Sequence, residues 1–105
     1  MASNRLTQLQ EFYDDDPHDP FNLYALALEY LKSDLEKSRE FFEMLLNIHK
    51  EYLPTYYHAA KLYQELGEKE MATSVFVNGI SLARKLNDTK AMRELQSAYD
   101  ELMFD

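Results

Sequence analysis

Apolar residues recur along this chain at intervals of three and four, the spacing that places side chains on one face of an α-helix. No segment alternates apolar and polar residues as a half-buried strand does, and no Asn-Gly or Asp-Gly pair marks a hairpin turn. The pattern therefore predicts an all-α fold. It is clearest near the C-terminus, where the apolar positions are Ala91, Met92, Leu95, Ala98, Tyr99 and Leu102.

Turn and capping residues divide the first third of the chain into two helices. A short first helix, capped by Ser3, is followed by an acidic linker at residues 14–19, which predicts a solvated connection. Asp19 and Pro20 suit the N-cap and the first position of a second helix, which is expected to end near Lys32. The predicted apolar faces of these two helices are Leu6, Leu9, Phe12 and Tyr13, and Phe21, Tyr24, Leu28 and Leu31.

The rest of the chain predicts four further helices. Ser33 and Glu36 form a capping-box pattern, which predicts Ser33 as the N-cap of the third helix. The fourth helix is expected to begin at Pro54 and to end at Gly67, and residues 87–88 can cap the sixth. The predicted buried sets of the third to fifth helices are Leu35, Phe41, Phe42, Leu45, Leu46 and Ile48; Tyr56, Ala59, Ala60, Leu62, Tyr63 and Leu66; and Met71, Ala72, Val75, Phe76, Ile80 and Ala83.

Two segments of the chain carry the same pattern, offset by 33 residues in their first helices and by one more after the turn. Small residues recur where two helices pack closely, and aromatic residues recur where a gap is to be filled. Gly79 inside the fifth helix costs roughly 1 kcal/mol relative to Ala, which indicates a close approach of a neighbouring helix. The matched pairs are Ala27 and Ala60, Tyr30 and Tyr63, Ser38 and Ala72, Phe42 and Phe76, Leu45 and Gly79, and Leu46 and Ile80.

The second copy resembles the tetratricopeptide repeat (TPR) family, and more particularly a small two-repeat bacterial TPR protein. The first copy matches less well, because Leu45 stands where a small residue is expected. The resemblance covers residues 20–86 and implies antiparallel helical hairpins stacked as a short α-solenoid. The residues that carry it are Tyr56, Ala59, Ala60, Tyr63, Gly67, Ala72, Phe76 and Gly79.

The repeats predict the domain organisation. Residues 1–105 are expected to form one domain, with an N-terminal helix at 3–13, a first repeat at 20–52, a second repeat at 53–86 and a C-terminal capping helix at 88–104. Because each repeat buries its face on a neighbour, two repeats leave two apolar ends. The first and sixth helices are expected to cover these ends. Alternatively, an uncovered end mediates homodimerisation, and the chain is a self-associating structural module.

The TPR resemblance also implies a function, the binding of a peptide or helix of a partner protein in a concave groove lined by the first helix of each repeat. The side chains of Tyr24, Tyr57 and His58 suit a protein interface, because each has an apolar ring that can be buried and a polar group that can stay in contact with water. Packing against neighbouring helices accounts for the two tyrosines equally well. The groove positions are Phe21, Tyr24, Leu28 and Lys32 in the first repeat and Tyr57, His58, Lys61, Gln64 and Glu65 in the second.

One specialised form of binding is not expected. Some TPR domains grip the terminal carboxylates of chaperone tails with Lys and Asn side chains on successive first helices. Here the corresponding positions hold Tyr24, Leu28 and His58, and the sixth helix offers no clear basic pair at the required places. The clamp is therefore absent, and the identity of the partner stays open.

Composition narrows the remaining classes of function. The net charge of −8 disfavours nucleic acid and anionic membranes as partners, and the absence of Cys excludes disulfides and thiolate chemistry. The three histidines form no metal-binding motif, and two glycines cannot build a phosphate-binding loop. We therefore expect no enzymatic activity, no cofactor and no metal. The N-terminus has no signal-peptide pattern and no run is long enough to span a membrane, which favours the cytoplasm.

Overall fold

The computed structural model describes the backbone of residues 3–104 and the side chains of residues 4–104. Over this part of the chain there are six helices and no strand, which confirms the all-α prediction. The predicted cap at Ser3 lies outside the described side chains. The helices are α1 (Ser3–Asp15), α2 (Pro20–Tyr30), α3 (Leu35–Ile48), α4 (Pro54–Glu65), α5 (Lys69–Lys85) and α6 (Thr89–Phe104).

The chain divides into two compact units, Met1–Tyr52 and Leu53–Asp105. In the first unit, α2 packs against both α1 and α3. In the second unit, α5 packs against α4 and α6, and α4 also contacts α6. Because the turns inside each pair are short, α2 and α3 form one antiparallel hairpin and α4 and α5 form another. Each unit is thus a helical hairpin with one further helix.

The core of the first unit contains a buried hydroxyl group. Ser38 is fully buried, and its Oγ donates a hydrogen bond of 2.6 Å to the backbone carbonyl of Ala27. This bond satisfies the hydroxyl, so that a serine can stand where the second unit has Ala72. The ring of Phe41 stacks on Tyr30 and meets Tyr13 edge-on, with centroids 5.9 and 5.6 Å apart. The buried apolar side chains are Leu9, Leu23, Leu26, Ala27, Phe42 and Leu45.

In the second unit, α4, α5 and α6 approach each other closely at Gly79. A Cβ atom built on Gly79 would lie 2.7 Å from Cβ of Tyr56 and 3.2 Å from Cδ1 of Leu95. The close approach expected at this glycine is therefore present. The buried apolar side chains of the unit are Tyr56, Ala59, Ala60, Leu62, Tyr63, Ala72, Val75, Phe76, Ile80, Ala83, Leu95, Ala98 and Leu102.

The same hydrogen-bond pattern ends α4 and α5. At the end of α4, Gly67 adopts a φ of 79°, its N–H bonds the Gln64 carbonyl at 3.1 Å, and the Glu68 N–H bonds the Tyr63 carbonyl at 2.8 Å. This is a Schellman motif, which satisfies carbonyl groups that the helix leaves open. At the end of α5, Asn87 takes the same place with a φ of 58°. Gly67 is thus confirmed as the residue that follows α4.

Replacement of Gly67 by Ala is expected to lower the free energy of unfolding by about 1 kcal/mol, because an L-residue is strained in the left-handed region. No atom lies within 4 Å of the added Cβ, so the loss comes from the backbone alone. Asn87→Gly is the matched control, since it removes strain at the equivalent position and should not destabilise. Urea unfolding followed by circular dichroism measures both. Equal losses in the two variants would contradict this explanation.

The N-terminal caps confirm two predictions and correct one. The side chain of Asp19 accepts a bond from the Phe21 N–H at 2.9 Å, with Pro20 as the first helical residue. Asp88 accepts one from the Ala91 N–H at 3.0 Å. The predicted capping box at Ser33 is wrong, because Asp34 caps α3 by accepting a bond from the Lys37 N–H at 3.1 Å. A carboxylate at the positive end of a helix also interacts favourably with its dipole.

Four residues assigned to apolar faces are exposed, which corrects the predicted core. Phe12, Phe21, Ile48 and Met71 expose between 44% and 65% of their surface. Tyr24, Leu28 and Leu31 are only partly buried, whereas Leu23 and Leu26, outside the predicted face of α2, are buried. Most residues of α2 are apolar, so periodicity could not identify which face turns inward. The helix also ends at Tyr30, earlier than expected.

Candidate partner-binding surfaces

The predicted groove residues of the first unit lie along one side of α2. Phe21, Tyr24 and Leu28 follow each other at spacings of three and four, which places them on neighbouring turns. Phe21 exposes 57% of its surface, and the other two are half-buried. Lys32 lies beyond the end of the helix, where its Nζ is 3.3 Å from a carboxylate oxygen of Glu29. An exposed ion pair of this kind contributes little stability.

Tyr24 is held by a second tyrosine that sequence analysis missed. The ring of Tyr52 meets the ring of Tyr24 edge-on, with centroids 5.7 Å apart. Burial, and to a lesser extent the neighbouring Tyr52, raises the pKa of Tyr24. Burial and then Asp19 raise the pKa of Tyr52. Both phenols therefore stay protonated at neutral pH. Tyr52 lies in the connection between α3 and α4, where helical periodicity gives no information.

The predicted residues of the second unit share the outer side of α4. The ring of Tyr57 is 37% exposed and meets the imidazole of His58 edge-on, with centroids 5.4 Å apart. Lys61 and Glu65 follow Tyr57 at one-turn intervals, and both are exposed. Gln64 is half-buried beside them, with its amide oxygen shielded from solvent. This surface thus combines one accessible aromatic ring with groups of both charges.

His58 differs from an ordinary surface histidine. Burial lowers its pKa, so that the imidazole is neutral at pH 7. A neutral imidazole has one nitrogen that donates a hydrogen bond and one that accepts. His58 adds an aromatic ring to this face without adding a charge.

No cluster of metal-binding side chains accompanies these surfaces in the described part of the chain. Among residues 4–104, no three His, Asp or Glu side chains lie close enough together to hold a metal ion. Each unit brings its own groove positions together on one helix. In both cases the arrangement is an aromatic surface with polar edges, which is suited to contact with another macromolecule.

Comparison with solved structures identifies the family. A solution structure of a tetratricopeptide repeat domain protein from Salinibacter ruber is 40% identical to this chain, with a TM-score of 0.78 over 83% of this chain and 89% of that one. This chain belongs to the tetratricopeptide repeat family. A crystal structure of a TPR domain protein from the same organism is 37% identical, with a TM-score of 0.78 over 81% of this chain and 97% of that one. No protein-family model and no curated protein matches the chain.

TPR membership confirms the resemblance that the repeat pattern indicated. The residues that carried it in the second copy hold the two helices of the hairpin together, since Ala60, Tyr63 and Phe76 are almost completely buried. Gly67 forms the turn after α4, and Gly79 allows α4 and α5 to approach each other closely. A TPR fold serves protein–protein interaction in general, so a protein partner is the class that the fold supports. None of the described helices is long and apolar enough to cross a membrane.

Proposed function

We propose that this TPR protein binds a peptide or a helix of a partner protein through the exposed face of α4, with the exposed face of α2 as a separate contact surface, and without a catalytic step of its own. The observation that carries the proposal is the exposed ring of Tyr57 next to the neutral imidazole of His58 on the outer side of α4. Aromatic residues of this kind are enriched at protein interfaces, because they bury much area at a small entropic cost.

Each group on α4 has a distinct role in the proposed contact. The ring of Tyr57 covers an apolar side chain of the partner, while its hydroxyl remains in contact with water. The neutral imidazole of His58 adds a second ring to the contact without a charge. Lys61, one turn from Tyr57, pairs with a carboxylate or a backbone carbonyl of the partner. An exposed charge of this type contributes to orientation and association rate more than to affinity.

The face of α2 supplies a second, more apolar contact. Phe21 is an exposed aromatic side chain at the first turn of the helix, and Leu28 lies two turns further on. Between them, the ring of Tyr24 is held in a defined position by its edge-on contact with Tyr52. A partner that contacts this face buries the exposed part of Phe21, which gains about 1 kcal/mol, roughly half the value for complete burial of such a side chain.

The double substitution Tyr57→Ala with Lys61→Ala is expected to weaken binding of a partner by at least about tenfold, or 1.4 kcal/mol. The partner is first isolated from the native host with the wild-type chain, and its affinity is then measured by isothermal titration calorimetry. Both side chains are exposed, so the thermal midpoint should hardly change.

The matched control is Lys69→Ala with Met71→Ala, which removes an exposed charge and an exposed apolar side chain from α5. This control should bind the partner as the wild type does. If the Tyr57 and Lys61 variant binds with unchanged affinity, α4 is not the binding surface and the proposal fails.

A further inference from the structure

Positive charge is concentrated in one segment of this acidic protein. Residues 84–93 contain four of the chain's 11 basic residues and one of its 19 acidic residues, so the segment carries +3 where the whole chain carries −8. The acidic residue is Asp88, whose carboxylate is already engaged as the cap of α6. The basic residues are Arg84, Lys85, Lys90 and Arg93. The end of α5 and the start of α6 thus form a local cationic surface.

Two of these cations line a surface cleft of about 330 Å³. Within the described residues, neither Arg84 nor Arg93 has a hydrogen bond or salt bridge to another side chain. The carboxylate in the cleft, Asp100, accepts a bond of 3.0 Å from the amide of Gln96. The guanidinium groups are therefore available to an external anion. The cleft is lined by Arg84, Met92, Arg93, Gln96, Ser97 and Asp100.

A favourable interaction with the helix dipole explains the position of only two of these four basic residues. Arg84 and Lys85 lie in the last turn of α5, where cations interact favourably with the helix dipole. Lys90 and Arg93 lie near the start of α6, where the dipole is positive and the first turn contains no acidic residue. Cations at this end destabilise a helix by a few tenths of a kcal/mol or more. The same placement adds the field of the helix to that of the side chains, which strengthens attraction for an anion.

We infer that the cleft formed by α6 and the end of α5 binds a short acidic segment of a partner protein, with Arg84 and Arg93 each pairing with a side-chain carboxylate. Guanidinium groups bind carboxylates through two parallel hydrogen bonds, a bidentate geometry that fixes the orientation of the carboxylate. Met92 lies beside the aliphatic part of the segment, and Ser97 can hydrogen-bond its backbone. The inference rests on the proposed function in taking a peptide as the ligand, but it uses none of the residues of α2 and α4.

A short peptide fits this surface better than nucleic acid does. Long polyanions bind through many phosphates spread over an extended surface. Here the cationic surface is confined to ten residues, and the rest of the chain is strongly acidic. Because charges more than about 8 Å apart are screened at physiological salt, a short acidic segment is attracted by the cleft without strong repulsion from the remainder.

The test measures fluorescence anisotropy of a labelled ten-residue poly-glutamate peptide with the full chain at physiological salt, about 0.15 M. Saturable binding is expected, with poly-glutamine of equal length showing none. The double charge reversal Arg84→Glu with Arg93→Glu should weaken binding by at least about tenfold, because both carboxylate pairs are lost. Both arginines are exposed, so the variant should remain folded.

Lys37→Glu with Lys69→Glu is the matched control, since both lysines are exposed and the net charge changes equally. This control should weaken binding less than about threefold, because neither lysine lines the cleft. An equal loss in both variants, absence of saturable binding, or tighter binding of a thymidine decanucleotide would overturn the inference. Tyr57→Ala should leave poly-glutamate binding unchanged, so failure here and failure of the α4 proposal are separate results.

Discussion

Replacement of Phe76 by Ala is expected to lower the free energy of unfolding by about 3–5 kcal/mol. The side chain is completely buried in the second unit. Its removal loses the free energy gained by transferring the ring from water to the core. It also leaves a cavity that the surrounding helices can fill only in part. Since small domains are stable by about 5–15 kcal/mol in total, this variant should lose a large share of its stability.

The matched control is Val77→Ala, the next residue of α5. Val77 is exposed, and the same kind of truncation there should cost less than about 0.5 kcal/mol. Urea unfolding followed by circular dichroism measures both variants. A loss at Phe76 no larger than the loss at Val77 would show that this ring does not hold the hairpin together.

Replacement of Gly79 by Leu is expected to destabilise by about 3 kcal/mol, even though leucine is the better helix former. The cause is steric, because the first added carbon would lie 2.7 Å from Cβ of Tyr56. That atom is attached directly to the backbone of α4 and cannot rotate away. The leucine can be accommodated only if α4 and α5 move apart, which exposes the core of the second unit.

Asn78→Leu is the matched control for this substitution. Asn78 is exposed on the same helix, and leucine there should be neutral or slightly stabilising because it raises helix propensity. Thermal unfolding followed by circular dichroism distinguishes the two variants. Equal stability of Gly79→Leu and the wild type would show that α4 and α5 are not in close contact at this position.

Most helix boundaries were predictable, because they depend on residues close together in the chain. Asp19 with Pro20, Pro54 and Gly67 mark helix ends whose capping groups are local, and each is found as predicted. The prediction at Ser33 failed because Asp34 beside it is an equally good capping residue, and both sequence positions offer an oxygen acceptor. Which of the two caps the helix depends on the backbone conformation of the residues that precede it.

The buried face of α2 was less predictable. Pattern reasoning selects a face by contrast with polar neighbours, and Phe21–Leu28 offers little contrast because seven of its eight residues are apolar. Packing against α1 and α3 decides that Leu23 and Leu26 turn inward, which leaves Phe21 exposed. As a result, the predicted groove residue Phe21 was assigned to the buried face of α2, whereas the structure shows it exposed.

The residues of the candidate surfaces were likewise predictable only in part. The outer position of Tyr57 and Lys61 followed from the spacing of α4 and from the family resemblance, and both residues are accessible. Tyr52 could not be found, since its contact with Tyr24 joins residues 28 apart in sequence through a non-helical connection. The cleft beside Arg84 likewise depends on how α6 folds back on α5.

By itself, the amino-acid sequence determined that this protein is helical, where α2, α4 and α6 begin, and that it carries the TPR pattern around Gly67. These properties follow from backbone conformation and hydrogen bonds within a few residues, which the local sequence controls. The tertiary structure alone decided which face of α2 is buried, that Tyr56 of α4 and Leu95 of α6 are the neighbours of Gly79, and that Arg84 and Arg93 share a cleft. These properties depend on contacts between residues far apart in the chain, where packing selects among faces that the local sequence leaves equivalent.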